Sequence, residues 1–137
     1  MGLTVVDAGV IIGLLDERDP NHLAASRALH ELVAGTDRLV LPASALAEVL
    51  VAPSRRGAGA VGVVLALIER VPLRVVALDQ PIAVAAAALR AKQKALKLPD
   101  ALVIATASVL AADRLLTTDR RWPTARQLGI AVKLQTI

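Results

Sequence analysis

Cysteine, tyrosine and phenylalanine are absent from this chain, tryptophan occurs once, as Trp122, and histidine twice, as His22 and His30. Without cysteine there are no disulfides, thiolate zinc sites, iron–sulfur clusters or thiol nucleophiles. Two histidines cannot build a multi-histidine metal site, and a Ser-His-Asp triad would have to use one of them. His22 is expected to be exposed in the first turn of a helix and His30 to lie on the same helix. A single aromatic ring cannot form a row of base-stacking platforms, so any nucleic acid would be held mainly through its phosphates. Chemistry in this chain must rest on carboxylates, hydroxyls and cations.

Long apolar runs are also missing, although 55% of the residues are hydrophobic. The longest stretches free of charge, Gly57–Ile68 and Ala101–Ala112, have twelve residues each, against about 20 for a bilayer span. Both suit buried helices. No basic segment precedes the first apolar run, and Asp7 interrupts that run at once, so no signal peptide is visible and a cytoplasmic protein is expected. Sixteen Lys and Arg against twelve Asp and Glu give a net charge of +4. Such a balance permits contact with nucleic acid without requiring it.

What is present is an alternation of short β-branched runs with longer Ala- and Leu-rich segments, the pattern of an α/β domain. Residues 1–137 are expected to form one domain. Leu3–Val6, Arg38–Leu41, Leu73–Leu78, Arg114–Thr117 and Ile130–Leu134 read as strands, the first buried on both faces. Helices are expected over Ala8–Leu15, Asn21–Ala34, Ser44–Ala52 (broken by Pro53), Ala58–Arg70, Pro81–Lys94 and Pro99–Ala112, with a short one in 121–128. The sum is a central, mostly parallel sheet of about five short strands wrapped by helices.

The informative acids are those set where acids do not belong. Asp16, Glu17, Asp19 and Asp37 fall in polar turns, and Glu31 and Glu69 lie on helix faces with basic neighbours. A solvated surface accounts for all six. Asp7, Glu48 and Asp100 stand instead among apolar residues, in Val5-Val6-Asp7-Ala8-Gly9-Val10, Ala45-Leu46-Ala47-Glu48-Val49-Leu50 and Leu98-Pro99-Asp100-Ala101-Leu102-Val103. Asp119 follows a buried strand directly. A buried carboxylate needs a partner, a protonation shift or a metal. Asp7 and Asp119 could each cap the segment that follows, and Asp100 could complement the dipole of its helix. Glu48 fits capping worst, because it lies four residues after Ser44 where a capping box requires three.

All four acids fall near the carboxyl ends of strands or in the helices that follow. In an open parallel sheet, ligand sites form outside those ends. Four carboxylates in one cleft repel one another unless cations neutralise them. Oxygen-only ligands favour Mg²⁺ or Mn²⁺. One or two such ions can activate water and stabilise the leaving oxygen of a phosphodiester. The pattern points to metal-assisted hydrolysis of a phosphoryl substrate.

Four segments together resemble the PIN-domain nucleases, and the chain length matches the toxins of VapC-type toxin–antitoxin pairs. They are Val5-Val6-Asp7-Ala8-Gly9-Val10-Ile11-Ile12, Ser44-Ala45-Leu46-Ala47-Glu48-Val49-Leu50, Leu98-Pro99-Asp100-Ala101-Leu102-Val103-Ile104-Ala105-Thr106-Ala107, and Leu115-Leu116-Thr117-Thr118-Asp119-Arg120-Arg121-Trp122. They occur in the family's order and span nearly the whole chain. The resemblance implies a three-layer α/β fold. It also implies that Asp7, Glu48, Asp100 and Asp119 bind Mg²⁺ or Mn²⁺ and activate water for RNA cleavage, with Thr117 supporting the site from behind. It further implies a homodimer and inhibition by a small antitoxin protein. Two positions depart from the family's pattern. Gly9 stands where Ser or Asn is common, removing a hydrogen bond that could orient Asp7. Trp122 replaces a commoner Phe, which reads as a packing variation.

Arg55, Arg56, Arg120 and Arg121 flank the proposed cleft and are the candidate RNA contacts, since arginine suits bidentate phosphate contacts. A solvated turn explains them as well. Arg90, Lys92, Lys94 and Lys97 form a basic run that dipole compensation and solubility explain. Two other functions compete. Gly57, Gly59 and Gly62 match the dinucleotide-binding G-x-G-x-x-G, with Asp79 near the place of a ribose-binding acid. The strand such a motif needs before its first glycine is missing, since Pro53-Ser54-Arg55-Arg56 occupies that place. The other is a non-catalytic PIN-like module that binds RNA or protein.

Overall fold

The structure, a computed structural model, describes residues 2–137. Its elements in chain order are β1 (Leu3–Val6), α1 (Ala8–Leu15), α2 (His22–Ala34), β2 (Arg38–Pro42), α3 (Ala43–Arg56), α4 (Ala58–Arg70), β3 (Leu73–Val76), α5 (Gln80–Lys92), α6 (Leu98–Val109), β4 (Arg114–Thr117), α7 (Ala125–Leu128) and β5 (Lys133–Thr136). The five strands form one sheet, wholly parallel, in the order β3-β2-β1-β4-β5. With helices covering it, this is the three-layer α/β arrangement expected from the sequence. No helix among the described residues is long and apolar enough to cross a membrane.

Why the sheet is central follows from β1 and β4. Val5, Val6, Leu115 and Leu116 are almost completely buried, as strands must be when helices pack on both faces. They join Ile11, Leu41 and Ile104 in one continuous core. The order of the strands decides where a site can form. The chain starts in mid-sheet at β1, adds β2 and β3 on one side, then crosses back to add β4 and β5 on the other. Winding therefore reverses between β1 and β4, and a crevice opens at their carboxyl ends.

Several boundaries differ from the sequence expectation: β3 ends at Val76 rather than Leu78, α5 at Lys92 rather than Lys94, and α7 covers only Ala125–Leu128. Pro53 does not end α3, which continues to Arg56. Gly57, at φ 119°, makes the corner instead, a conformation a side chain would disfavour. Helix α6 stops at Val109 rather than Ala112. Ala111 turns left-handed at φ 51°, while the amides of Ala111 and Ala112 bond back to Ser108 and Ala107. That is the closing turn usually given to glycine, and without a glycine the sequence offers no stop. The last strand is Lys133–Thr136 rather than Ile130–Leu134. His22 is half-buried rather than exposed, its Nδ1 2.8 Å from the carbonyl of Gly13, while His30 is exposed on the same helix.

At the edge where the strands begin, acids close the fold. Asp37 accepts from the amide of Gly2 at 3.1 Å and the hydroxyl of Thr4 at 3.1 Å, and pairs with Arg114 at 3.1 Å. Asp113 exchanges bonds with Leu3, its amide donating to the Leu3 carbonyl and its carboxylate accepting from the Leu3 amide. The solvated-surface reading of Asp37 is thus corrected: it is a staple joining β1, β2 and β4.

Candidate active site

Asp7 is the entire link between β1 and α1, so no loop can carry it away from the sheet. It is buried. Oδ1 accepts from the amide of Ala8 at 2.8 Å, and Oδ2 from the hydroxyl of Thr117 at 2.9 Å. A helix cap would serve the second or third amide; here the third, Val10, bonds the backbone carbonyl of Asp7 instead. Thr117, the last residue of β4 and itself buried, also accepts from the amide of Asp119 at 3.0 Å. One hydroxyl thereby joins the first acid to the fourth.

Asp100 is the third residue of α6, after Leu98 and Pro99. The helix N-terminus favours its negative charge. Asp119 lies just past β4, half-buried, its Oδ1 accepting from the amide of Arg121 at 2.8 Å and paired with that residue's guanidinium at 3.3 Å. Glu48 sits on the second turn of α3 and is exposed. The apolar sequence around Glu48 therefore reports a helix packed along its other face, and burial is full only for Asp7.

The electrostatics bind the four together. Burial pushes the Asp7 carboxyl from the ordinary 3.8 to about 6. The charges of Asp100 and Glu48 add to that rise, while the bonds from Thr117 and Ala8 oppose it. Glu48 is raised by partial burial and by Asp100. Asp100 is raised by burial and by the charge of Asp119, against the pull of Trp122, Arg121 and Lys97. Asp119 alone is lowered: burial raises it, but Arg121 and Lys97 outweigh that. Among the described residues, no three carboxylates stand close enough to hold one metal ion as they are.

Beside Asp100 and Asp119 lies a recess of about 270 Å³, lined also by Leu96, Lys97, Arg121 and Trp122. The indole N–H of Trp122 is buried and makes no hydrogen bond, although it lies near enough to lower Asp100. Trp122 is therefore more than a packing variation. Of the four candidate arginines, only Arg121 lines this recess. Arg120 is exposed beside it, and Arg55 and Arg56 lie in the last turn of α3, well beyond Glu48. Lys97, expected from the sequence to serve solubility, lines this recess and its charge lowers Asp100. Its signal was available, three residues before an acid at a helix start. A larger groove of about 600 Å³ lies at the other edge of the sheet, near Leu3, Arg38 and Arg74, and contains none of the four acids.

The dinucleotide motif finds no support in its surroundings. Helix α3, not a strand, precedes Gly57. Asp79 caps α5, accepting from the amide of Ile82 at 3.1 Å.

Acids from separate segments act on one another near the carboxyl ends of β1 and β4, Asp7 on Asp100 and Glu48, and Asp100 on Asp119. The family model of the PIN domain matches residues 4–128, and the chain belongs to that family. Among solved structures it is similar to a toxin–antitoxin complex from Klebsiella pneumoniae, at 24% identity and TM-score 0.70 over 86% of this chain and 88% of that one. It is also similar to VapBC2 from Rickettsia felis bound to a DNA fragment from its promoter, at 13% identity and TM-score 0.75 over 98% of each chain. A third is VapC20 from Mycobacterium tuberculosis, a toxin that cleaves the sarcin–ricin loop, at 16% identity and TM-score 0.67 over 82% of this chain and 86% of that one. No curated protein sequence matches the chain.

Proposed function

We propose that the chain is an endoribonuclease that hydrolyses RNA phosphodiesters with Mg²⁺ or Mn²⁺ held by Asp7, Glu48, Asp100 and Asp119. The carrying observation is Asp7: a buried carboxyl raised to about 6, facing the charges of Asp100 and Glu48. A divalent cation there would relieve burial and repulsion at once. The donors are all oxygens, which suits a hard cation. The reading asks the acids to rotate inward on binding, since no three meet at coordination distance as they stand.

A bound cation would supply an activated water and shield the charge of the reacting phosphate. The chain's own residues supply orientation. Ala8 and Thr117 fix both oxygens of Asp7. The N-terminus of α6 holds Asp100. Lys97 and Arg121, on the wall of the recess, would take backbone phosphates. Arg120 and the Arg55–Arg56 pair would extend that path outward.

The reading continues to biological role by likeness to the toxin–antitoxin structures above. The chain would be the toxin of a type II pair, cytoplasmic, a homodimer, and silenced by a small antitoxin protein. Exposed Leu23, Val51 and Val63 offer apolar surface for such partners.

Purified protein incubated with total cellular RNA and Mg²⁺ or Mn²⁺ tests the core of this reading. Discrete cuts that vanish with EDTA and in Asp100→Asn support it; cuts that survive EDTA sink the four-carboxylate mechanism. A second reading, a non-catalytic PIN-like binding module, draws on the same spread-out carboxylates. Growth arrest that persists on expression of Asp7→Asn would favour that module.

A further inference from the structure

Two polar groups in the wall of the acidic recess lack partners. The first is the indole N–H of Trp122, buried and without a hydrogen bond. The second is the carboxylate of Asp100. Asp7 has both oxygens taken, by Ala8 and Thr117, and Asp119 accepts from the amide of Arg121. No comparable bond reaches Asp100 among the described residues. Its carboxyl is raised, first by burial and then by the charge of Asp119, and the Trp122 indole is the hydrogen-bonding group that pulls it back. Donor and acceptor are neighbours that have not closed on each other.

A buried donor without an acceptor is costly to a fold and rare. This one is sealed from the surface, so neither water nor RNA can answer it. Only an oxygen of the chain can. The backbone holds Trp122 from both sides. Upstream, the amide of Arg121 is tied to Asp119 Oδ1 at 2.8 Å. Downstream, Thr124 and Gln127 exchange side-chain-to-amide bonds at 2.9 and 3.2 Å and start α7. The ring packs against the core. Asp100, in the first turn of α6, can change rotamer without moving its helix. The indole is the fixed member of the pair and the carboxylate the one that turns.

We propose that Trp122 is a positioning residue of the acidic site, its indole N–H donating to Asp100 when the carboxylates turn inward onto a cation. Hydrogen bonds that are long in a free site commonly tighten once it is loaded. This inference rests on the cation-dependent reading of the site and adds to it a protein donor for Asp100. A phenylalanine at position 122 would fill the space and offer no such donor.

Three full-length proteins test the inference: wild type, Trp122→Phe, and the chain carrying benzothienylalanine in place of Trp122. The last keeps the shape of the ring and puts sulfur where the N–H was. Without metal it should melt no lower than wild type, because the donor it lacks had no acceptor. By calorimetry both altered chains should bind Mn²⁺ roughly ten- to a hundredfold more weakly, the usual cost of losing an outer partner of a metal site. In nuclear magnetic resonance of wild type, the signal of the one indole N–H should move downfield in step with Mg²⁺ saturation. A benzothienylalanine chain that binds Mn²⁺ as wild type does overturns the inference, even if Trp122→Phe binds weakly, since packing would then be the cause. Lower melting of that chain without metal also overturns it, by making the N–H part of the resting fold. If wild type binds neither cation, the cation-dependent reading falls and this inference with it; saturation with a motionless indole signal overturns this inference alone.

Discussion

Carboxylates stand at both edges of the same parallel sheet, and the two edges treat them in opposite ways. Where the strands begin, Asp37 receives an amide, a hydroxyl and a guanidinium, and these hold it below the ordinary aspartate value. Where the strands end, Asp7 also receives an amide and a hydroxyl but no cation, and burial carries it up to about 6. The hydrogen bonds are nearly equivalent. Burial makes most of the difference at Asp7, with further acids adding to it, whereas at Asp37 the guanidinium of Arg114 outweighs any such cost. Asp7 is the acid left without a cation, while Asp119 at the same edge is paired with Arg121 as Asp37 is with Arg114.

The largest expected effect separates the edges by activity. Asp100→Asn should lower RNA cleavage by more than about a hundredfold, beyond the loss typical of an outer partner of a metal site. Asp37→Asn should leave the cleavage rate per folded molecule unchanged. Equal losses in a fluorogenic RNA assay would erase the distinction.

Stability should respond with the opposite sign. Asp7→Asn removes a buried charge that folding must strain to ionise, so the metal-free protein should gain up to about 3 kcal/mol at pH 7, read by urea denaturation. Asp37→Asn should instead lower the melting temperature, because it leaves Arg114 without its partner. A destabilised Asp7→Asn would mean that Asp7 is structural after all.

Acid titration of the metal-free protein distinguishes the edges within one molecule. The folded value of Asp7, about 6, lies above its unfolded 3.8, so the folded state binds more protons between them. Its contribution to stability therefore declines as pH rises from about 4 to about 6 and stays at its lowest above that. Asp37 is shifted downward, so the unfolded state binds more protons, and its contribution is lost as pH falls below about 4. Comparing melting curves of wild type and Asp7→Asn at pH 4.5 and 7 should show a clearly larger advantage of the variant at the higher pH.

The smallest effect tests the turn that delivers Asp113 to the quiet edge. Ala111→Gly relieves a left-handed alanine and should stabilise the chain by about 1 kcal/mol without changing cleavage. A loss of stability on chemical denaturation would contradict the strain inferred at Ala111.

These contrasts also show what the sequence could carry. The limits of β1, α4 and β4 are legible because composition changes sharply at both ends of each. Pro53 misleads because a proline lacking its amide can still sit inside α3, where its carbonyl accepts from the amide of Gly57. The true stop, Gly57, carries in the sequence the signal of a different motif. Ala111 is silent in the sequence, since only tertiary closure forces alanine into a glycine's conformation. The four acids could be picked out from their local surroundings, but the exposure of Glu48 could not, because an apolar neighbourhood in sequence is shared by both faces of a helix. The role of Asp37 is invisible because its partner, Arg114, lies 77 residues away along the chain, and pairing at that distance is written in the fold alone.

Trp122 has a practical consequence. It is the sole aromatic side chain in the protein, so all near-ultraviolet emission from the molecule originates at the wall of the recess that also holds Asp100 and Asp119. The chain carries a built-in, single-position optical probe. Cation titrations, and tests of the proposed RNA and antitoxin partners, can be followed at that one indole without a label.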